Sequence, residues 1–309
     1  IKVKFLSDKS TIEAANQSIE YSLLPNEKEK LETRIKCHYR GEYNVGVNQV
    51  EITDFLNLFT ITYPMSSKLK ACVLPRVVQI EQLAIAPPQA DVKNPVRFSN
   101  DAQEELDTEM RKYNPGDSRK RIHWKASAKA GELLSRKYQY IPKAQTVVFM
   151  DLVKIRDEEI KVLSYEDKII ESVLAIVNYY VKRNVVSHII YGLDKIEHIP
   201  ISSDDDFNVF YKSCAKLSFF GALPVNKLVE DRLKIGEEGM FYIIVTHSLS
   251  KELYMTALKV ISCQNSISII FISDDVSDET KELINSMRLS GIGIYQIMSE
   301  DEIADILSQ

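Results

Sequence analysis

Apolar and polar residues alternate from Lys2 to Leu6, Ile19 to Leu23, Leu31 to Tyr39, Tyr43 to Ile52 and Leu58 to Tyr63, and a further run spans Leu69 to Ile80. A period of two sends successive side chains to opposite faces of a sheet, so these stretches predict short strands. Gly41 and Gly46 stand at turn or bulge positions between them. A succession of short strands with no helical pattern among them predicts an all-β N-terminal domain over residues 1–95, an immunoglobulin-like β-sandwich.

The pattern changes at Thr146. Thr146 to Leu152 is a continuous apolar run, as expected of a strand buried on both faces. Tyr165 to Arg183 places Ile169, Val173, Ile176, Val177 and Tyr180 on one helical face. A strand at Val185 to Tyr191, a hairpin partner at Lys195 to Ile201 and helices at Asp205 to Leu217 and Asn226 to Leu233 follow. Phe241 to Thr246, Ile267 to Ile272 and Gly293 to Ile297 read as strands, separated and followed by helices at Lys251 to Ser262, Ser277 to Ser290 and Asp301 to Leu307. Alternating strands and helices predict a doubly wound α/β domain over residues 141–309, mostly parallel with one antiparallel edge.

Between these halves lies a connector, residues 96–140. Pro87-Pro88 and Asn94-Pro95 break regular structure ahead of it, and Asp101 to Asp107 is an acidic run. Arg111 to Lys137 then carries nine Lys and Arg against Asp117 and Glu132, a net +7 in a chain whose total is -5. Such a stretch projects a positive field unless acidic neighbours neutralise it. Pro115-Gly116 fits a type II turn, Asp117 a helix N-cap, and Gly131 a left-handed C-cap. The spacing predicts a helix over 118–130, with Ile122, Ala126 and Ala130 on one face and Trp124 and Ala128 beside it. Two readings stay open: a structural connector in which Trp124 plugs a gap between domains, or a docking face for an anionic partner.

With 309 residues, 45% hydrophobic and 27% charged, the chain has an ordinary globular composition and a length that predicts two domains. No window reaches the ~18 to 20 unbroken apolar residues of a membrane span, and no signal-peptide pattern is present. The chain begins Ile1-Lys2-Val3 without a methionine, from which an upstream segment is expected. Cys37, Cys72, Cys214 and Cys263 are widely spaced with no CxxC pair, which disfavours a zinc site and favours reduced thiols.

The run from Arg111-Lys112-Tyr113 through Pro115-Gly116-Asp117 to Ile122-His123-Trp124-Lys125 and Ser127-Ala128-Lys129 resembles the signature of a bacterial family, domain of unknown function 58. An arginine usually stands in that family where this chain has Lys120 and Lys129, so charge is kept while the planar fork is lost. Arg40-Gly41-Glu42-Tyr43 with Gly46 is similar to the family's Arg-Gly-x-Tyr element. Asp54 to Phe59 is similar to its Asp-Pro-Phe-Gly-Leu-Phe box, with Phe55 and Asn57 in place of the proline and glycine. Asn57 tolerates the left-handed conformation the turn needs. The resemblance implies a von Willebrand factor A-like domain in the α/β half, membrane anchoring just upstream of Ile1 and a cytoplasmic face. It also implies two partners, a MoxR-type AAA+ ATPase and a transglutaminase-like membrane protein. The residues it singles out for binding are Arg111, Tyr113, Gly116, Asp117, Lys120, Trp124, Lys125 and Lys129.

Open α/β sheets place ligands beyond the carboxyl ends of their strands, which points to Asp151 and to His247 with Ser248. Neither GxGxxG nor GxxxxGK[ST] follows Leu152, so a nucleotide cofactor loses its main support and no cofactor is expected. In von Willebrand factor A domains, as the resemblance implies, a metal site uses Asp-x-Ser-x-Ser and a second aspartate. Here Asp151-Leu152-Val153-Lys154-Ile155 keeps only the aspartate, and His247 stands in the second position. Hard cations need several oxygen ligands, so Asp151 is vestigial and no metal is expected. Adjacent His247 and Ser248 lack the geometry of a nucleophile and base, and His38, His188 and His198 fall on predicted strands. Asp204-Asp205-Asp206 reads as a helix N-terminus. The chain is thus expected to be a non-catalytic interaction or scaffold protein. Two alternatives are carried alongside: nucleic-acid or acidic-lipid binding through the basic segment, which the acidic remainder of the chain disfavours, and divalent-cation-dependent adhesion.

Overall fold

A computed structural model describes residues 1–5, 12–14, 18–20, 22–23, 27–30, 32, 35–65, 69–85, 106–113, 123–138 and 146–308. The N-terminal part is antiparallel β structure: β1 (Lys2–Phe5), β2 (Ile12–Ala14), β3 (Ser18–Glu20), β4 (Ile35–Cys37), β5 (Gly41–Val45), β6 (Val47–Thr53), β7 (Thr60–Pro64) and β8 (Leu69–Val73). Four of these form a sheet in the order β3-β1-β6-β7, while β5 pairs with β8 and β2 with β4. The alternation from Tyr43 to Ile52 is two strands rather than one. Gly46, at φ 125°, turns the chain out of the β5-β8 pair and into the larger sheet, a conformation that side chains disfavour.

The strand expected from Leu69 to Ile80 ends at Val73. Residues 74–85 instead run as an extended strap across the α/β half, and Val78, Ile80 and Ile85 join its core. The strap's carbonyls are met in turn. Tyr211 Oη donates to Pro75 O at 3.1 Å, Arg183 Nη2 to Glu81 O at 2.6 Å, and Tyr295 Oη to Ala84 O at 3.2 Å. Ala84 N donates to Leu307 O at 2.8 Å.

In the middle of the chain, β9 (Leu106–Lys112) and β10 (Leu134–Tyr138) form an antiparallel ribbon around the short helix α1 (Trp124–Ala130). The sequence pattern had shown no strands there, because charged residues interrupt the alternation.

The remainder is the doubly wound α/β unit. Its strands are β11 (Thr146–Met150), β12 (Ser187–Gly192), β13 (Ile196–Ile201), β14 (Phe241–Thr246), β15 (Ser266–Ile272) and β16 (Gly293–Ile297), in the order β13-β12-β11-β14-β15-β16, with β13 the antiparallel edge. Every residue of β11 is buried, since both faces are covered. Val148 and Met150 face α2 (Glu159–Val181), α3 (Asp204–Cys214), α7 (Ile303–Leu307) and the strap; Val147 and Phe149 face α4 (Val225–Leu233), α5 (Lys251–Ser262) and α6 (Asp278–Leu289). No helix among the described residues is long and apolar enough to cross a membrane.

Arg40 locks the β part to this unit. Its side chain is 4% exposed. Nη1 donates to Asp167 Oδ1 at 2.6 Å, Nε to Cys214 O at 3.1 Å and Nη2 to Leu217 O at 3.0 Å, with the guanidinium 5.5 Å from the centre of the Phe219 ring. Its backbone N–H also reaches Asp167 Oδ2 at 3.2 Å. Burial pushes the Asp167 carboxyl above its ordinary value, against the pull of Arg40. Lys216 with Glu42 and Arg76 with Glu171 and Glu302 complete the seam near the surface.

Magnitudes separate the roles. A buried ion pair contributes little net free energy once desolvation is counted. Burial of each large aliphatic side chain of the strap stabilises by roughly 1.5–3 kcal/mol. The strap therefore supplies most of the attraction and Arg40 fixes the geometry. Replacing Arg40 with Ala strands the Asp167 carboxylate and two carbonyls, so Arg40→Ala is expected to cost about 3 kcal/mol or more in urea unfolding. Arg40→Lys recovers only part of that, because an ammonium cannot span the three acceptors.

Candidate functional site

At the carboxyl edge of the sheet, β11 and β14 deliver Asp151 and Thr246 side by side. Asp151 is 3% exposed. Its Oδ1 accepts the Val153 N–H at 3.1 Å and its Oδ2 accepts the Thr246 hydroxyl at 2.6 Å. Thr246 Oγ1 in turn accepts the Ser248 N–H at 3.1 Å. His247 Nδ1 lies 3.8 Å from Asp151 Oδ2 and is buried without a hydrogen-bond partner. Burial pushes its imidazole below the ordinary value, and the Asp151 carboxylate opposes that shift.

The loop after β11 is closed from the other side. Gly221 N donates to Leu152 O at 2.8 Å and Val153 bridges to Gly221 in parallel fashion. A Cβ on Gly221 would stand 2.4 Å from Gly192 O, so the approach requires glycine. Ile155, at the position of a would-be ligand, is buried in the core. These residues do not fit a divalent cation. Both oxygens of the single carboxylate are taken by protein donors, Val153 and Ile155 offer no oxygen, and no cluster of three His, Cys, Asp or Glu side chains forms among the described residues. Asp151 acts as a tie between two strands. The sequence showed Asp151 and His247 at this edge but gave no sign that Thr246 was its partner, since a threonine closing an apolar strand is ordinary.

A cavity of about 310 Å³ adjoins this edge at the seam, lined by Arg40, Glu166, Asp167, Lys216, Phe219 and Phe220 among others. Its charged groups are already paired: Arg40 with Asp167, and Lys216 with Glu42.

The signature segment makes a second, separate surface. The helix expected over 118–130 begins at Trp124, because His123 has non-helical dihedrals (φ -90°, ψ 84°) and its Nδ1 accepts the Ala126 N–H at 3.1 Å. Gly131 is the left-handed cap, at φ 72°. The inward group is Ser127, whose hydroxyl donates to His123 O and accepts the Leu134 N–H at 2.9 Å, pinning the helix to β10. Ala130 is exposed, so the expected apolar stripe of Ile122, Ala126 and Ala130 is not what anchors the helix. Ile122 lies outside the described residues.

Trp124 is 66% exposed and fills no gap between domains. Lys125 and Lys129 are exposed beside it, and Lys112 pairs with Glu132 at 2.6 Å. Trp124, Ser127, Ala128, Gly131, Glu132 and Leu133 line a shallow depression of about 370 Å³. Tyr113 is half-buried, its N–H donating to Leu133 O. Arg111 stands on β9 opposite Ser135. Gly116, Asp117 and Lys120, with the acidic residues 101–105, lie outside the described residues. The structure thus gathers Tyr113, Trp124, Lys125 and Lys129 about one ribbon, and Asp151 belongs to a different site.

Of the remaining histidines, His38 is exposed, and His188 and His198 meet across β12 and β13 with ring nitrogens 3.1 Å apart. Burial first, then for His188 its neighbour His198 and for both the nearby Arg232, push these imidazoles down, while Glu237 opposes.

No family model and no curated protein matches the chain. Among solved structures it is similar to the SpRpn10 VWA domain, at 14% identity and a TM-score of 0.38, over 53% of this chain and 93% of that one. It is also similar to proximal thread matrix protein 1 from the mussel byssus, at 12% identity and a TM-score of 0.39, over 53% of this chain and 46% of that one. A third is the conserved hypothetical protein BatB from Bacteroides thetaiotaomicron, at 9% identity and a TM-score of 0.37, over 52% and 93%.

Removing the Thr246 hydroxyl leaves one Asp151 oxygen without its donor, so Thr246→Val is expected to destabilise the fold by about 1–3 kcal/mol in denaturant titration. A histidine whose folded pKa is depressed binds fewer protons folded than unfolded, so its contribution is full above about pH 6.5 and lost as pH falls. Asp167 and Glu171, raised by burial, act with the opposite sign at lower pH. The difference between proteins is therefore the readout: between about pH 7 and pH 5 a His188→Gln, His198→Gln double variant loses less stability than the wild type.

Proposed function

We propose that this chain is a non-catalytic interaction protein that works by presenting a docking surface. In this reading it is the part outside the bilayer of a membrane-anchored bacterial protein of the domain-of-unknown-function-58 kind. An immunoglobulin-like β-sandwich precedes a von Willebrand factor A-like α/β domain whose cation site has been replaced by a strand-to-strand tie, and a MoxR-type AAA+ ATPase is the partner.

The observation that carries this reading is Trp124. A tryptophan two-thirds exposed on a helix pinned by Ser127 and capped at both ends is a preformed anchor, and aromatic anchors are enriched where proteins bind one another. Lys125 and Lys129 beside it favour an acidic rim on the partner. The Asp151 site supports the non-catalytic part of the reading, since both oxygens of its carboxylate are engaged in holding the Val153 N–H and the Thr246 hydroxyl.

Anion binding is the second reading, favoured by those same two lysines flanking an aromatic ring that can stack on a base. Surface binding with a purified MoxR-type ATPase from the same source distinguishes them. The wild type is expected to bind it, and Trp124→Ala to weaken binding by about tenfold or more, as for a buried interface anchor. Failure of the wild type to bind the ATPase, with salt-dependent binding of an oligonucleotide, transfers the site to the second reading.

A further inference from the structure

The β6-β7 hairpin has a surface that nothing above uses. Its turn is closed around Asp54. The carboxylate accepts the Phe59 N–H at 2.7 Å and the Leu56 N–H at 3.3 Å, Asp54 N donates to Phe59 O, and Asn57 N donates to Asp54 O with Asn57 at φ 55°. With its backbone tied inward, the turn thrusts its side chains out: Phe55 is 98% exposed and Phe59 72%. Leu56, Leu58, Ile61, Tyr63 and Met65 are each more than half exposed as well. These seven large side chains, at roughly 100–200 Å² apiece, make a patch on the order of 800 Å². That exceeds what a monomer commonly leaves in water. Residues 55–65 carry no charge.

The hydrogen bonding of β7 says what kind of occupant fits. Met65 N donates to Asn48 O, so alternate residues Ile61 and Tyr63 bond β6 while Thr60 and Thr62 direct their N–H and C=O groups away from it. Among the described residues β7 is the last strand of its sheet. In a lipid interior those open groups would be unsatisfied, whereas another strand satisfies them. The edge is also self-complementary about Thr62. Laid antiparallel on a second copy, Thr62 exchanges both bonds with the partner's Thr62, and each Thr60 N–H reaches the carbonyl of the partner's Pro64, the one position that has no N–H to strand. Ile61 then neighbours the partner's Tyr63, a favourable cross-strand pair, and Phe59 the partner's Met65, a sulfur-aromatic contact. No like charges meet.

We propose that this edge is a homodimer interface, in which two copies join β7 to β7 antiparallel about Thr62 and set Phe59, Ile61, Tyr63 and Met65 of each against the other's. Sedimentation equilibrium of the whole chain, 35.3 kDa per protomer, is expected to show a dimer. Thr62→Pro removes the central pair of bonds and is expected to weaken self-association by about tenfold or more with an unchanged far-UV circular dichroism spectrum. Should that variant fail to fold, cysteine trapping decides. In a chain with Cys72 and Cys263 replaced by serine, Thr62→Cys is expected to form a disulfide dimer on oxidation, since facing Cα atoms in such a pair stand about 5.5 Å apart. Thr60→Cys, opposite a proline, is expected not to. A wild type that sediments as a monomer at every concentration overturns the proposal, and pelleting of that monomer with neutral phosphatidylcholine vesicles would assign the hairpin to lipid instead. A dimer that is indifferent to Thr62→Pro and not trapped by Thr62→Cys overturns it equally.

Discussion

The Arg40 guanidinium is the contact on which the rest depends, because it is a charge placed in the seam with three acceptors that come from two distant stretches of chain. Asp167 sits on α2, and the carbonyls of Cys214 and Leu217 belong to the end of α3 and the turn beyond it. Water cannot replace them without opening the seam, so the docking of the β part is close to all-or-none. The strap of residues 74–85 makes that docking affordable by burying Val78, Ile80 and Ile85.

The same contact reaches the carboxyl edge of the sheet. Arg40 holds Leu217 O and faces Phe219; two residues on, Gly221 bonds Leu152, and the next N–H along, that of Val153, is held by Asp151. From there Thr246 ties β11 to β14. The edge where an open α/β sheet commonly receives a ligand is in this protein a continuous run of internal hydrogen bonds. Oxygen atoms that a cation would need hold strands and loop together, and burial pushes the His247 imidazole beside them below its ordinary value.

The surfaces proposed for other molecules lie away from that edge. One is the pinned helix bearing Trp124, and the other is the uncharged hairpin from Phe55 to Met65. Both share a construction: a polar side chain, Ser127 in one and Asp54 in the other, satisfies local backbone groups and thereby frees large apolar side chains to face outward. Rigid presentation of apolar groups lowers the ordering cost of association.

Local pattern was enough to place much of the α/β half. Phe241 to Thr246, Lys251 to Ser262 and Gly293 to Ile297 are found where their apolar runs and spacing put them, because a strand buried on both faces and an amphipathic helix each write their period into neighbouring residues. Gly131 and Asn57 were legible for the same reason, each meeting a left-handed backbone requirement within its own turn. The strand that ends at Val73, the helix that starts only at Trp124, the β9-β10 ribbon, the bond from Thr246 to Asp151 and the burial of Arg40 were not. Each is decided by a partner well outside any sequence window: Asp167 is 127 positions from Arg40, and Asp151 is 95 from Thr246. Sequence fixes what a residue can offer to its neighbours in the chain. Only tertiary structure decides which buried acceptor meets which donor, and which apolar side chains are left in water.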